Sequence, residues 1–244
     1  IQAPPNYFPI NAKINKEGYD DLSDVIAEGM QALSVNAFKA AINEDTIILD
    51  TRKSETFTQG FVPGSISIGL EGRFAEWAGS LLSFKAPILL VTDAGMEKET
   101  IIRLARVGFD NVKGYLEGSF EAWQQAGEDI DMIIEVEADE LMMDIPHDPN
   151  LLVIDVRRPT EFADGHLKDA RNIPLDEMTD PGTIAMLEET QNLYVHCQGG
   201  YRSVIAASMM KRQGLHNLRN IVGGWNKIKE EKRAVVVKEK SVLN

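Results

Sequence analysis

Cysteine is scarce in this sequence, basic residues are outnumbered, and long apolar runs are missing. The single cysteine, Cys197, has no partner for an internal disulfide, and a lone thiol suits a reducing compartment, so we expect a cytoplasmic location. Lys and Arg number 25 against 38 Asp and Glu, and the net charge of −13 argues against nucleic acid or an anionic membrane surface as a partner. The apolar stretch from Leu81 to Val91 is interrupted by Ser83, Lys85 and Pro87, so no membrane-spanning helix is expected.

Length and composition indicate two small globular domains. The chain has 244 residues, of which 43% are hydrophobic and 26% charged, whereas a single domain usually holds about 150 residues. No basic region followed by an apolar core opens the sequence, so we expect no signal peptide. A start at Ile1 instead of Met also suits a fragment of a longer protein.

Two halves of the sequence repeat each other at an offset near 105 residues. The matched pairs are Asp50 with Asp155, Arg52 with Arg157, Phe57 with Phe162, Gly60 with Gly165, Ile68 with Ile173, Gly108 with Gly214 and Gly118 with Gly224. This period is too long for a solenoid repeat and suits a duplicated domain. We therefore predict one domain over residues 29–128, a second over 129–238, and a short tail over 239–244.

Short apolar strands alternate with helical stretches in both halves. The runs Ile47–Asp50 and Leu151–Val156 are continuous and β-branched, which favours strands buried on both faces of a parallel sheet. A helix is predicted over residues 203–213, where Gly214 suits its left-handed stop. Each domain is therefore predicted to have an α/β fold, with a parallel sheet flanked by helices.

The first 28 residues precede this repeat. They contain Pro4, Pro5 and Pro9 and show no clear hydrophobic period, which is typical of a linker or arm. An ordered strap that packs on the first domain is the alternative.

The most informative segment lies between a predicted strand at 193–196 and the predicted helix. We call it the cysteine loop, and it consists of Cys197, Gln198, Gly199, Gly200, Tyr201, Arg202 and Ser203. The glycines permit tight backbone turns, and the loop amides and the positive end of the helix dipole converge on the sulfur. Because this environment favours the thiolate, Cys197 is predicted to be a partly exposed nucleophile. A buried, inert cysteine is the alternative.

Residues 129–230 resemble the rhodanese family of sulfurtransferases. The matching motifs are Asp155-Val-Arg157, Glu161-Phe162, Gly165-His166, Asn172-Ile173-Pro174, the cysteine loop and Gly223-Gly224-Trp225. The resemblance implies that Cys197 accepts a sulfane sulfur from a small-molecule donor such as thiosulfate or a thiol persulfide. It then holds the sulfur as a persulfide and passes it to a thiol or cyanide acceptor, without a cofactor.

Two other functions compete with sulfur transfer. Cysteine-dependent phosphatases also use a loop with a cysteine and an arginine, but five residues separate the two, whereas four separate Cys197 from Arg202 here. The smaller ring favours sulfur over a tetrahedral phosphate. The other alternative is a docking module, or a sensor of persulfides or oxidants, in which Cys197 is modified without turnover.

Charged residues around the loop are predicted to support it. Arg202 either closes the loop or contacts a substrate anion, and the sequence favours neither role. Arg157 and Glu161 are predicted to form a structural ion pair with each other, and contact with the substrate is the alternative.

The histidines and tryptophans are predicted to be structural. His166 follows the glycine of a turn, and Trp123 and Trp225 suit the core. Neither His147 nor His196 has a partner at metal-ligand spacing, so no metal site is expected in this chain.

The first half is predicted to be an inactive copy. Asp93 is assigned to the cysteine position, and a carboxylate cannot carry sulfane sulfur. Counted back from the shared Arg-x-Gly motif, the loop that begins at Asp93 is expected to be two residues shorter than the cysteine loop. We expect this domain to serve in packing, docking or substrate shielding.

An inactive copy followed by an active one also resembles the C-terminal part of certain fusion proteins. These carry a metallo-β-lactamase-like persulfide dioxygenase ahead of two rhodanese domains, and residues 4–9 and 14–18 resemble the junction between them. The resemblance implies a partner domain upstream in a longer chain.

Overall fold

The computed structural model describes residues 22–239 and divides the chain into two compact units that meet between Asp131 and Met132. Asp131 exchanges backbone hydrogen bonds with Phe61, at N–O distances of 2.9 and 3.0 Å. This bridge keeps residues 129–131 with the first unit, whereas the sequence predicts that the first domain ends at 128.

The described part of the first unit contains a parallel sheet flanked by helices. Its strands are β1 Ala32–Leu33, β2 Ile47–Asp50, β3 Ile66–Ser67, β4 Ile88–Val91 and β5 Val112–Leu116. They lie in the order β1-β5-β4-β2-β3. The helices are α1 Leu22–Gly29, α2 Val35–Ala41, α3 Ser54–Gln59, α4 Phe74–Leu81, α5 Glu97–Ala105 and α6 Ser119–Gln125.

The second unit repeats this architecture. Its strands are β6 Ile134–Val136, β7 Leu151–Asp155, β8 His166–Leu167, β9 Arg171–Asn172, β10 Asn192–His196, β11 Leu218–Ile221 and β12 Val236–Val237. The parallel sheet has the order β6-β11-β10-β7-β9, and β12 pairs antiparallel with β8. The helices are α7 Ala138–Asp144, α8 Pro159–Ala163, a 3-10 helix Leu175–Thr179, α9 Pro181–Ala185, α10 Tyr201–Arg212 and α11 Trp225–Ile228.

Burial along the central strands shows that the sheet of the first unit is covered on both faces. Every side chain of β2 and of β4 is buried, as expected for short β-branched strands in a parallel sheet. The predicted α/β fold class is confirmed. Trp123 packs in the core cluster of the first unit and Trp225 in that of the second, so both predicted core positions are also confirmed.

Strand register relates the two units residue by residue. Val91 of β4 lies opposite Asp50, and its carbonyl accepts a hydrogen bond from the Thr51 N–H at 2.8 Å. In the second unit His196 of β10 lies opposite Asp155, and its carbonyl accepts one from the Val156 N–H at 2.9 Å. Val91 and His196 are therefore equivalent positions.

Helix α1 occupies the last part of the predicted arm and contacts α5 and β5. The sequence allows either a linker or an ordered strap for the first 28 residues. Residues 22–28 form the ordered strap, packed on the first unit. The junction segments 4–9 and 14–18 lie outside the described residues. Between residues 22 and 239, no helix has the length and apolar character needed to cross a bilayer.

The first residue of the predicted tail, Glu239, is hydrogen-bonded to the second unit. The Glu239 N–H donates to the Ala163 carbonyl at 3.0 Å, so residue 239 is still attached to the second unit. Residues 240–244 lie outside the described part of the chain.

Candidate active site

The cysteine loop begins where β10 leaves the sheet. Gly200 adopts φ 114° and ψ −28° immediately before α10, a conformation that strains residues with a Cβ. Its N–H donates to the Cys197 Sγ at 3.1 Å, and its carbonyl accepts from the Ser203 hydroxyl at 2.9 Å. The predicted arrangement of strand, loop and helix is present, and it directs a backbone donor and a helix N-terminus toward the sulfur.

Cys197 is buried, with 2% of its surface exposed, so the prediction of a partly exposed thiol is wrong. The cause is the turn before α11, which packs against the loop. The Trp225 N–H donates to the Cys197 carbonyl at 2.7 Å, and a Cβ on Gly224 would overlap that carbonyl oxygen. A glycine at position 224 is what allows this close approach.

Gln198 is held on both its main chain and its side chain. Its carbonyl accepts from the Asn226 N–H at 3.1 Å, and its side-chain amide donates to the Asn226 Oδ1. The Arg157 Nη1 lies 3.5 Å from the Gln198 Oε1. The loop is therefore fixed at this residue by neighbours on two other segments.

Arg157 pairs with Asp155, so the predicted ion pair between Arg157 and Glu161 is wrong. The guanidinium Nη2 lies 2.6 Å from the Asp155 carboxylate and also donates to the Gly165 carbonyl at 2.8 Å. The two side chains leave the end of β7 two residues apart, which brings them together before any contact with α8 is made. Both are almost fully buried, so the pair is a structural element of the site.

The first unit contains the same buried pair. Arg52 Nη2 lies 2.6 Å from the Asp50 carboxylate and donates to the Gly60 carbonyl at 2.9 Å. Because this unit has no cysteine, the pair serves the fold in both units and is not specific to sulfur chemistry.

Glu161 pairs instead with Arg202. Two guanidinium nitrogens donate to the two carboxylate oxygens at 2.7 and 2.8 Å. The hydrogen bond from Arg202 lowers the pKa of Glu161, and the same bond raises the pKa of Arg202, so both groups are charged at neutral pH. Of the two predicted roles of Arg202, the structure shows the one that closes the loop against α8.

His166 and Tyr201 are two further residues that the sequence places at the site. The His166 ring stacks on Phe162 with centroids 3.5 Å apart, and its Nδ1 lies 2.9 Å from the Phe162 carbonyl, so this histidine has the predicted structural contacts. Burial raises the pKa of the Tyr201 phenol, which keeps it neutral. Gly199 is exposed at the tip of the loop.

His196 is a site residue that the sequence reasoning missed. Its Nδ1 lies 3.2 Å from the Cys197 carbonyl, and because a carbonyl can only accept, Nδ1–H is the donor. Its Nε2 is fully buried without a hydrogen-bond partner, 3.7 Å from the Asp155 carboxylate. Burial lowers the pKa of His196, so the ring is neutral at pH 7. The sequence feature that could have identified His196 is its position as the last residue of a buried strand, directly before the cysteine.

An open cleft of about 450 Å³ lies beside the cysteine loop. The residues that line it are Arg157, Glu161, Asp164, Gly165, Gln198, Trp225, Lys229, Val236 and Lys238. In residues 22–239 no three His, Cys, Asp or Glu side chains are grouped as metal ligands would be.

The assignment of Asp93 to the cysteine position is wrong. Since Val91 is equivalent to His196, the next residue, Thr92, is the counterpart of Cys197, and it is buried as Cys197 is. Asp93 is exposed. The sequence assignment counted back from the Arg-x-Gly motif, which follows the helix in each unit. Because α5 has 9 residues and α10 has 12, this count does not reach equivalent positions.

The loop of the first unit is also not shortened. Residues 92–96 precede α5, whereas residues 197–200 precede α10. The first turn of α5 carries Glu97 and Glu99, whereas that of α10 has no acidic residue. The first unit therefore differs from the second in the charge of its helix N-terminus and not by a loop deletion.

Comparisons with known proteins agree with this architecture. A family model described as Rhodanese-like domain matches residues 34–126 and 137–231. The chain is 36% identical over 75 residues to the uncharacterized protein YqhL of Bacillus subtilis, covering 31% of this chain and 58% of that protein. It is 26% identical over 93 residues to a sulfurtransferase of Allochromatium vinosum, covering 38% of this chain and 85% of that protein. The chain thus spans little more than half the length of YqhL.

One of the matching solved structures is that of a longer chain. It is a thiosulfate sulfurtransferase from Pseudomonas aeruginosa, with 17% sequence identity and a TM-score of 0.39. The match covers 86% of this chain and 44% of that chain.

Proposed function

Because this chain belongs to the family of rhodanese-like domains, we propose that it is a sulfurtransferase in which Cys197 carries the sulfur. The observation that supports this most directly is the loop geometry, in which the Gly200 N–H donates to the Cys197 Sγ at 3.1 Å ahead of α10. Backbone donors and a helix N-terminus stabilise negative charge on sulfur in both the thiolate and the persulfide.

The proposed first half-reaction loads the cysteine. The Cys197 thiolate attacks the outer sulfur of thiosulfate, a new S–S bond forms, and sulfite leaves with the electron pair of the broken S–S bond. A thiol persulfide donates in the same way and leaves as a thiolate. The product in both cases is a persulfide on Cys197.

The proposed second half-reaction removes the sulfur from the Cys197 persulfide. An acceptor thiolate or cyanide attacks the outer sulfur of the persulfide and takes it, and the electron pair of the broken S–S bond returns to Cys197 as thiolate. No net oxidation occurs across the cycle, so neither a cofactor nor a metal is required.

The neighbouring residues support the loop in this proposal. His196 and the Trp225 N–H hold the Cys197 carbonyl, and Asn226 holds the carbonyl of Gln198. Both carbonyls are thereby occupied by these donors. Arg202 fastens the first turn of α10 to α8 through Glu161.

The first unit has a different part in this proposal. It contains no cysteine and therefore cannot hold a persulfide. We assign it to packing, docking or substrate shielding. The resemblance of residues 4–9 and 14–18 to a fusion junction supports a metallo-β-lactamase-like partner domain upstream, and the lone thiol supports a cytoplasmic location.

Mass spectrometry tests the proposal. After treatment with thiosulfate, the wild type should gain the mass of one sulfur atom and lose it again on addition of cyanide or a thiol, through many cycles. Cys197→Ala, which has no thiol, should do neither. Turnover in Cys197→Ala would overturn the carrier role, and a single modification without turnover would indicate a sensor.

A further inference from the structure

Two lysines in the cleft beside the cysteine loop have no assigned role. Lys229 directly follows α11 and Lys238 directly follows β12, and both side chains are exposed. Neither forms an ion pair with any other residue in the described range 22–239. The chain as a whole has a net charge of −13, whereas this small surface carries two unpaired positive charges.

The other charges of the cleft are already neutralised, except one. Arg157 is paired with Asp155 and Glu161 with Arg202. Asp164 is exposed and pairs with no described residue, so the unpaired charges of the cleft are two positive and one negative. The cleft therefore presents a net positive charge to a ligand.

Hydrogen bonds fix the segment that carries Lys238. On one side of it, β12 pairs with β8, with Val237 opposite His166. On the other side, the Glu239 N–H donates to the Ala163 carbonyl at 3.0 Å. The backbone at Lys238 is thus held in place beside the cleft.

The size of the cleft indicates what kind of ligand it fits. A volume of about 450 Å³ lies within the range of about 300–1,000 Å³ that is typical of sites for organic ligands. Cyanide and thiosulfate, with two and five heavy atoms, would leave most of it empty. Gln198 lines the cleft and belongs to the cysteine loop, so a ligand in the cleft lies next to that loop.

We propose that Lys229 and Lys238 determine substrate specificity by binding the carboxylate groups of an organic thiol or thiol persulfide whose sulfur reaches the cysteine loop. This inference rests on the proposed function and deepens it by assigning the residues that select the thiol. Because both lysines are exposed, each ion pair is screened by solvent and contributes modestly, about 1.5- to 5-fold in affinity.

A binding measurement tests the lysines without any sulfur transfer. S-methylglutathione carries two carboxylates and has no thiol that could exchange sulfur, and its diethyl ester has the same peptide skeleton with both carboxylates blocked by ethyl groups. The wild type should bind S-methylglutathione more tightly than the ester. In Lys229→Gln/Lys238→Gln the Kd for S-methylglutathione should rise about 2- to 25-fold, whereas the Kd for the ester should stay unchanged.

Lys227→Gln is the matched control, because this exposed lysine of α11 pairs with Glu230 and does not line the cleft. It should bind both compounds as the wild type does. The inference is overturned if the wild type does not bind S-methylglutathione, if the double variant binds it normally, or if both compounds weaken equally. These outcomes do not depend on whether Cys197 turns over.

Turnover supplies the second readout. With glutathione as acceptor, the double variant should show a raised KM and an unchanged kcat, whereas turnover with cyanide should not change. A fall in kcat with both acceptors would instead mean that the substitutions disturb the cysteine loop, and it would overturn the specificity role.

Discussion

Glu161 and Arg202 are joined by two hydrogen bonds of 2.7 and 2.8 Å although they lie 41 positions apart in the sequence. The pair connects α8 to the first turn of α10, the helix that begins at the cysteine loop. Arg202 therefore has its charge satisfied by the protein itself, and its guanidinium positions the loop.

Replacing Glu161 with Gln should destabilise the protein at neutral pH by about 0.5–1 kcal/mol, since the pair is partly exposed and screened. Arg202 lowers the folded-state pKa of Glu161, so its stabilisation is present above the unfolded pKa and is lost as the pH falls through the folded value. Urea unfolding of wild type and Glu161→Gln at about pH 7 and about pH 3.5 should show a difference that shrinks in acid.

Asp164→Asn is the control for that comparison, because this carboxylate is exposed and pairs with no described residue. It should unfold as the wild type does at both pH values. A difference between wild type and Glu161→Gln that grows in acid would contradict the ion pair.

Thr92→Cys in a Cys197→Ala background should not restore sulfur transfer. The new thiol would occupy the position equivalent to Cys197, but Glu97 and Glu99 in the first turn of α5 disfavour a thiolate there. The turnover rate with thiosulfate and cyanide should stay at least about 100-fold below that of the wild type. Asp93→Cys in the same background, which places the thiol on the exposed neighbour, is the control. Wild-type turnover in Thr92→Cys/Cys197→Ala would mean that the helix charge is irrelevant.

His196 should make the protein less stable in mild acid. Burial lowers its folded-state pKa, so below about pH 6.5 the unfolded chain binds a proton that the folded chain does not, and stability rises with pH. Between about pH 7.5 and about pH 5.5, the fall in the free energy of unfolding should be smaller in His196→Asn than in the wild type.

His147→Asn provides the comparison, since it replaces an exposed histidine by the same residue. Asn at position 196 retains an N–H that can donate to the Cys197 carbonyl, so His196→Asn should keep more sulfur-transfer activity than His196→Ala. Equal activity in the two variants would show that the hydrogen bond to Cys197 does not position the loop.

Gly224→Ala should disrupt the loop from a distance. The added Cβ would overlap the Cys197 carbonyl oxygen, at a residue whose φ is already +54°. Gly214→Ala shares the positive φ, +94°, but its Cβ meets nothing within 4 Å. Thermal unfolding should show a loss of about 1 kcal/mol for Gly214→Ala and about 2–4 kcal/mol for Gly224→Ala. Only Gly224→Ala should also lose sulfur transfer. Equal losses of stability and of activity in the two variants would mean that backbone strain alone, and not the overlap with the Cys197 carbonyl, causes the effect.

The fold was predictable because its signals are local and repeated. Asp50 and Arg52 recur as Asp155 and Arg157 at a constant offset, and each pair follows a buried β-branched strand. The position of Cys197 between a strand and a helix could be read in the same way. Each of these features depends on residues that are close in the sequence.

The contacts of the site were harder to predict because they join distant segments. The pairing of Glu161 with Arg202 depends on where α8 and α10 lie in space, which spacing along the chain does not give. The equivalence of Thr92 with Cys197 follows from strand register, whereas the sequence count ran through helices of unequal length. The burial of Cys197 depends on the turn at Gly224, a further 27 residues along.

The depth of Cys197 also sets a steric requirement on its reaction partners. Because only 2% of the Cys197 surface is exposed, a reaction partner must bring its sulfur to a thiol that bulk solvent barely reaches. An S–S exchange needs the attacking and leaving sulfurs in line, so a partner whose sulfur is sterically accessible should react faster than one whose sulfur is shielded. We therefore expect primary thiols to unload a Cys197 persulfide faster than a tertiary thiol such as 2-methyl-2-propanethiol, whose three methyl groups shield its sulfur.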